Sequence, residues 1–238
     1  HKVPIIAATL SRATGRPVKY VEDRSENMLA CDHHGSDRIY DCSLALDKDG
    51  HMISMKFEVI DDYGAYFQFG IGHHGNALCQ VTGPYKIRSV ESKITAVLTN
   101  KCQQGAYRGF GSEVANFVLE RMVDAAVAEL GADPIEFRKK NFIKRAEFPY
   151  FIPTGNLYDS GDYHAVIDKA SEMLDLAAWR QKQAQARKEG RYIGIGIATC
   201  QERSVFSATE FWSLNKDPGF ALTSSPEGVS VKIDATGK

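Results

Sequence analysis

Gly105-Ala-Tyr-Arg-Gly-Phe-Gly-Ser112 is the stretch of this chain best equipped for chemistry. Glycines at 105, 109 and 111 let the backbone come close to a ligand, because no Cβ stands in the way. Arg108 adds a planar fork of donors suited to phosphate or oxo groups. Phe110 offers a flat face to a planar ligand. A helical pattern follows at once, so Ser112 is placed to cap it, and the helix start is expected to offer N–H groups to an anion. A surface connector would use the same glycines, and composition alone does not separate the two readings.

Other constellations carry less. Gly70-Ile-Gly-His-His-Gly75 fits the dinucleotide pattern G-x-G-x-x-G, but the following residues reach Gly83-Pro84 without room for a helix. Neighbouring histidines at 33–34 and 73–74 point different ways, so one metal rarely takes both. No supporting ligand spacing follows, and no metal site is expected. Asp61-Asp62 reads as a strand terminus, and Cys102 as a quiet thiol unless its pKa is lowered. No Ser-His-Asp set is visible.

The elements that must position the loop follow from periodicity. Residues 4–14 read as a helix stopped by Gly15, and residues 17–22 as a strand. Residues 25–29 read as a helical turn. Residues 38–46 and 52–60 alternate about an Asp47-Lys-Asp-Gly50 turn and predict a hairpin. Residues 61–83 read as loop and 86–98 as a strand or strand pair. In 113–130 apolar residues recur at three and four, the mark of an amphipathic helix. Asp133-Pro-Ile-Glu136 opens another helix. Residues 143–160 read as loop, 163–174 and 177–189 as helices, 191–200 as a strand, and 228–234 as the start of one more. Strands, then helices, then strands predict an α+β fold, with mixed sheets and packed helices.

Composition narrows the function classes. The net charge of −1 lacks the basic excess that usually accompanies nucleic-acid binding. No apolar run approaches the roughly 18 residues of a membrane span. Five scattered cysteines, odd in number and without a CxxC pair, argue for a reducing, cytoplasmic setting over a disulfide framework. The chain opens on His1 directly into a helical pattern, so it is expected to be a segment of a longer polypeptide.

Several motifs in fixed order carry a family likeness. Ala106-Tyr-Arg-Gly-Phe-Gly111, then Glu120-Arg-Met-Val-Asp124, then Asp133-Pro-Ile-Glu-Phe-Arg-Lys-Lys-Asn141 resemble the large, molybdenum-binding subunit of the molybdenum hydroxylases. These are the xanthine dehydrogenase, aldehyde oxidase and aerobic carbon monoxide dehydrogenase enzymes. Gly15-Arg-Pro-Val-Lys-Tyr-Val-Glu-Asp-Arg-Ser-Glu-Asn27 is similar to a further family segment. Tyr85-Lys-Ile87, Thr99-Asn-Lys101 and Thr154-Gly-Asn-Leu-Tyr-Asp-Ser-Gly-Asp-Tyr163 are similar to the carbon-monoxide-dehydrogenase-like branch.

The resemblance implies a molybdopterin cofactor, usually in its cytosine dinucleotide form, and hydroxylation of an aldehyde or N-heterocycle with oxygen from water. Electrons would pass through two [2Fe–2S] clusters to FAD on partner subunits or domains. It implies that residues 1–200 form the first part of the molybdopterin-binding region, and that 201–238 form a connector and the truncated start of the next part. Ala106, Tyr107, Arg108, Gly109 and Gly111 are implied to line the cofactor. Phe110 and Asn76 are implied to meet the substrate. Asn76 stands where xanthine oxidisers carry an arginine, so purine specificity is not expected. Gly109 stands where copper-containing carbon monoxide oxidisers carry a cysteine, so a cysteine-held copper has no ligand. The catalytic base glutamate is expected outside this chain, which by itself should not turn over. Apolar surface is expected where the rest of the subunit would pack. A non-catalytic module that keeps the scaffold and binds a ligand or a partner subunit is the alternative.

Overall fold

The computed structural model describes residues 2–30, 37–67, 72–202 and 232. Helix α1 (Lys2–Thr14) and helix α2 (Arg24–Ala30) come first. Ile5, Ile6, Leu10, Met28 and Leu29 on them are exposed. Residues 17–22, predicted as a strand, run without a ladder between these helices. Their alternation has no neighbouring strand to pair with among the described residues.

The sheet grows from the predicted hairpin. Strand β1 (Arg38–Leu46) and strand β2 (Met52–Asp62) pair antiparallel. In the turn, Asp47 Oδ1 accepts from the backbone N–H of Asp49 and His51, at 2.9 and 2.8 Å. Alternate residues of β2 (Met55, Phe57, Val59 and Asp61) are buried. Strand β3 (Ser89–Val97) lies parallel to β2, giving the order β1-β2-β3.

Parallel neighbours need a crossover, and this one corrects the reading of 61–83 as loop. It contains helix α3 (Gly72–Leu78), which is buried from His73 to Ala77. The helix takes in Gly72–Gly75 of the G-x-G-x-x-G segment, where glycines mask helical periodicity.

Helix α4 (Ser112–Leu130) covers the sheet with Ala115, Val118, Leu119 and Val123. It ends at Gly131, whose left-handed φ of 59° lets its N–H reach Ala128 O. Helix α5 (Pro134–Asn141) is capped by Asp133 Oδ1, which accepts from Ile135 N and Glu136 N at 2.8 and 3.1 Å. Asn141 ties it to the hairpin, accepting from Met52 N at 2.8 Å and donating to Gly50 O at 3.1 Å. The core between sheet and helices is Met52, Met55, Phe57 and Val59 against Leu119, Val123, Ile135, Phe137 and Phe142. Each such side chain contributes roughly 1.5–3 kcal/mol by leaving water.

Residues 143–160, predicted as loop, hold a 3-10 turn (Arg145–Glu147) and a small hairpin of strands β4 (Tyr150–Phe151) and β5 (Leu157–Tyr158). Its own small core is Ile143, Ile152 and Tyr158. Helices α6 (Tyr163–Leu174) and α7 (Leu176–Lys188) follow. Asp175 joins them with φ of 51°, and its side chain accepts from Ala178 N.

Residues 191–200, predicted as a strand, are extended and alternate in burial but join no sheet among the described residues. Side chains hold them instead: Gln183 donates to Ile193 O at 2.8 Å and Arg138 to Ile197 O at 2.9 Å. The pattern read as a strand is therefore that of a half-buried extended segment. The predicted strand at 228–234 lies outside the described residues. Among the described residues no helix is long and apolar enough to cross a membrane.

Candidate functional site

The Gly105–Gly111 loop leads from the sheet into α4 by a tight reversal. Gly109, Phe110 and Gly111 take φ values of 100°, 44° and 97°, three left-handed residues in a row. For Phe110 that conformation costs about 1–2 kcal/mol, so the surroundings must enforce it. Two backbone bonds close the turn: Phe110 N to Tyr107 O at 2.8 Å and Ser112 N to Gly109 O at 3.0 Å. A Cβ at Gly111 would run into His73 O, and one at Gly109 into the Glu113 carboxylate.

The support comes from α3. Asn76, nearly fully buried, donates from Nδ2 to Gly109 O at 3.1 Å, Phe110 O at 2.6 Å and Ser112 Oγ at 3.3 Å. His73 Nε2 lies 3.1 Å from Gly105 O, so that nitrogen carries the hydrogen. Its ring centroid is 4.3 Å from that of Phe110. Burial pushes the His73 pKa down, so the ring is neutral. The amide donors of Asn76 face the loop.

The start of α4 also differs from expectation. Gly111, not Ser112, is the capping residue, and no side chain caps in the usual way. Glu113 Oε2 accepts from Gly111 N at 2.8 Å, so the helix entrance already holds a carboxylate. An anion there would meet that charge. What the loop presents outward is Arg108, which is exposed and has no acceptor among the described residues. Tyr107 is exposed beside it, while Phe110 is half-buried against His73.

Behind the loop lies a buried ionic cluster that sequence reasoning passed over. Asp61 has Arg38 Nε at 3.0 Å, His74 Nε2 at 2.7 Å and Gln104 Nε2 at 2.8 Å. Burial works to raise the Asp61 pKa, but His74, Arg38 and Gln104 outweigh it and hold the carboxyl below its ordinary range. Gln104 precedes Gly105 and also donates to Asp62 O, so the cluster fastens the loop entrance to β2. A hint was available: Asp61 sits on the buried phase of β2, where a carboxylate demands partners.

The two histidines of α3 thus serve different partners, and no group of three His, Cys, Asp or Glu among the described residues is placed to hold a metal. Gly75 lies within α3, and a Cβ there would meet nothing within 4 Å. The steric need that defines a dinucleotide fingerprint is therefore missing at that glycine.

The downstream motif residues turn out to be framework. Glu120 and Arg138 pair in the interior, and Tyr85 and Thr199 also bond the Glu120 carboxylate.

Residues 1–142 match the family model described as molybdopterin cofactor-binding domain. The carbon monoxide dehydrogenase large chain of Hydrogenophaga pseudoflava is 37 % identical over 215 residues, covering 83 % of this chain and 25 % of that one. The nicotine 6-hydroxylase large subunit of Paenarthrobacter nicotinovorans is 32 % identical over 225 residues, covering 93 % and 27 %. The crystal structure of quinoline 2-oxidoreductase from Pseudomonas putida 86 superposes with a TM-score of 0.76 at 36 % identity, over 87 % of this chain and 26 % of that one. The chain spans about a quarter of the length of these relatives. With the match extending over more than half of its residues, the chain belongs to the molybdopterin cofactor-binding domain family.

Proposed function

We propose that this chain forms one wall of the molybdenum site in a dehydrogenase that hydroxylates an aldehyde, an N-heterocycle or a related small substrate. The observation that carries the reading is Arg108: a cation without a protein acceptor among the described residues, on a loop whose backbone is fixed from behind. Such a group fits an anionic or oxo-bearing cofactor, and the glycines on either side leave room for one. When bound, the molybdenum centre supplies oxo-transfer chemistry, with water as the oxygen source.

The chain's own residues have narrower roles in this reading. Arg108 donates to the cofactor's oxygens with its planar fork of N–H groups. Ala106, Tyr107, Gly109 and Gly111 line the cofactor with backbone, and Phe110 packs against a planar substrate. The base glutamate comes from elsewhere in the polypeptide. The cytosine dinucleotide form of the cofactor, FAD and [2Fe–2S] partner subunits and a cytoplasmic setting belong to the same reading. So does the division into residues 1–200, the first part of the cofactor region, and 201–238, a connector into the next. The exposed apolar side chains of α1 and α2 would face the remaining subunit.

The test is metal analysis and turnover of the protein expressed with its cofactor supply, assayed on carbon monoxide, aldehydes and N-heterocycles. Arg108→Ala should lower kcat roughly 100-fold or more, the scale of one lost electrostatic donor. Unchanged turnover would remove Arg108 from the site. A protein without molybdenum and without turnover on any of these substrates would favour the binding-module alternative.

A further inference from the structure

We propose that His73 and Asn76 are the positioning residues of this site: together they hold the left-handed turn that presents Arg108. The proposal rests on the reading of Arg108 as the cofactor-facing cation and adds the device that aims it.

The turn is strained and does not hold itself. Phe110 has φ of 44°, which a residue with a Cβ adopts only when its surroundings over-determine it. Two backbone bonds close the turn, Phe110 N to Tyr107 O and Ser112 N to Gly109 O. Asn76 then reaches the successive Gly109 and Phe110 carbonyls with one amide nitrogen, at 3.1 and 2.6 Å. That is possible only while successive carbonyls converge on one point, so the amide selects this turn over an ordinary extended one. His73 then fixes the turn from the other side. Its ring lies 4.3 Å from the Phe110 ring, and its Nε2 meets Gly105 O at 3.1 Å, at the loop's entrance. Its own carbonyl stands where a Gly111 Cβ would go, so main chain packs on main chain. Both side chains are nearly fully buried on α3, which is wedged against α4.

Asn76 is the position the resemblance pairs with a substrate-binding arginine in purine oxidisers. Here the amide faces the loop.

The experiment compares Asn76→Asp, His73→Ala and His73→Gln in the protein as expressed with its cofactor. Asn76→Asp is isosteric but replaces the donors with acceptors facing two carbonyls. His73→Gln retains an N–H at similar reach, and His73→Ala retains nothing. Amide hydrogen exchange is read at Phe110 and Ser112, whose bonds close the turn, and at Leu119–Val123 in the α4 core as reference. Asn76→Asp and His73→Ala should each speed exchange at the turn at least tenfold with the core rate unchanged, and His73→Gln should restore most of the protection. In kinetics, each loss should fall on kcat more than on KM. Combining either with Arg108→Ala should add little, because both act through that residue.

Unchanged exchange at the turn overturns the proposal. So does a loss of kcat that multiplies with that of Arg108→Ala, which would mean the residues act independently of it. Full activity of the single Arg108→Ala variant would sink the underlying reading instead, and that variant is scored separately. If Asn76→Asp does not fold, the His73→Ala and His73→Gln pair decides the question.

Discussion

Arg138 and Glu120 share one bond geometry across two helices: Arg138 Nε and Nη2 both donate to Glu120 Oε2, at 3.0 and 2.8 Å, with the arginine side chain wholly out of solvent. The rest of the guanidinium is also used. Nη1 donates to Pro134 O, and Nη2 also reaches Asp124 Oδ1 and Ile197 O. The other Glu120 oxygen accepts from Tyr85 and Thr199. One ion pair therefore joins α4, α5, the loop before β3 and the extended 191–200 segment.

Arg138→Met should destabilise the fold by about 3–5 kcal/mol, because it leaves the buried Glu120 carboxylate without its counter-charge. Urea unfolding followed by circular dichroism measures it. Replacing Glu120 by Leu in the same chain should recover much of the loss, since removing both charges leaves nothing unpaired. A single variant as stable as the parent would show that the pair is solvated in solution.

Periodicity made the hairpin and α4 legible, because each buries one face with the proper repeat, while stop and cap residues marked α1 and α5. It did not show α3: Gly72 and Gly75 carry no side chain to reveal a face, and His73, His74 and Asn76 look polar although they are buried. It overstated residues 191–200, since alternation records burial on one side and not a ladder partner. The Arg108 loop was legible from its glycines. Its support was not, because Asn76 and His73 lie more than thirty residues upstream and meet it only across the crossover.

The glycines can be told apart by alanine. Gly111→Ala forces a Cβ into His73 O at a left-handed φ, and should cost about 1–2 kcal/mol for the conformation alone, with more from the clash. Gly75 is buried, but a Cβ there meets nothing within 4 Å, so Gly75→Ala should instead gain about 0.5–1 kcal/mol. Thermal melts of the two variants give the sign. A destabilising Gly75→Ala would mean that a backbone or ligand approaches there after all.

Stability should fall with acid in two steps. The buried His73 has a lowered pKa in the fold, chiefly from burial, with Arg38 and His74 adding to it while Gly105 O and Asp61 oppose. The unfolded chain then binds the extra proton first, so stability is full above about pH 6.5 and declines as the pH drops below it. Asp61 and Asp133 are held below the usual carboxylate range despite burial, Asp61 by His74, Arg38 and Gln104, and Asp133 by Arg180 and the N–H groups of Glu136 and Ile135. Their contribution is present above about pH 4 and disappears as the pH falls through their folded values. Unfolding curves between pH 8 and 3 should show both steps, and His73→Gln should erase only the upper one. An upper step that survives in that variant would assign it to another group.

The two buried arginines should not be equally costly to lose. Arg138 spends its guanidinium on carboxylates and carbonyls, whereas Arg38 lies 3.0 Å from Asp61 through Nε and has both Nη groups buried without an acceptor among the described residues. Removing Arg38 takes one partner from Asp61 but leaves His74 and Gln104 in place. It also relieves idle donors that cost about 1–3 kcal/mol to bury. The loss of a buried ion-pair partner, about 3–5 kcal/mol, is therefore largely offset. Arg38→Met should cost on the order of 1–2 kcal/mol, well below Arg138→Met, in paired urea titrations at one pH. Equal losses would mean that the Arg38 Nη groups hold ordered water in solution, and that the cluster behind the Arg108 loop is as fully bonded as the one at Glu120.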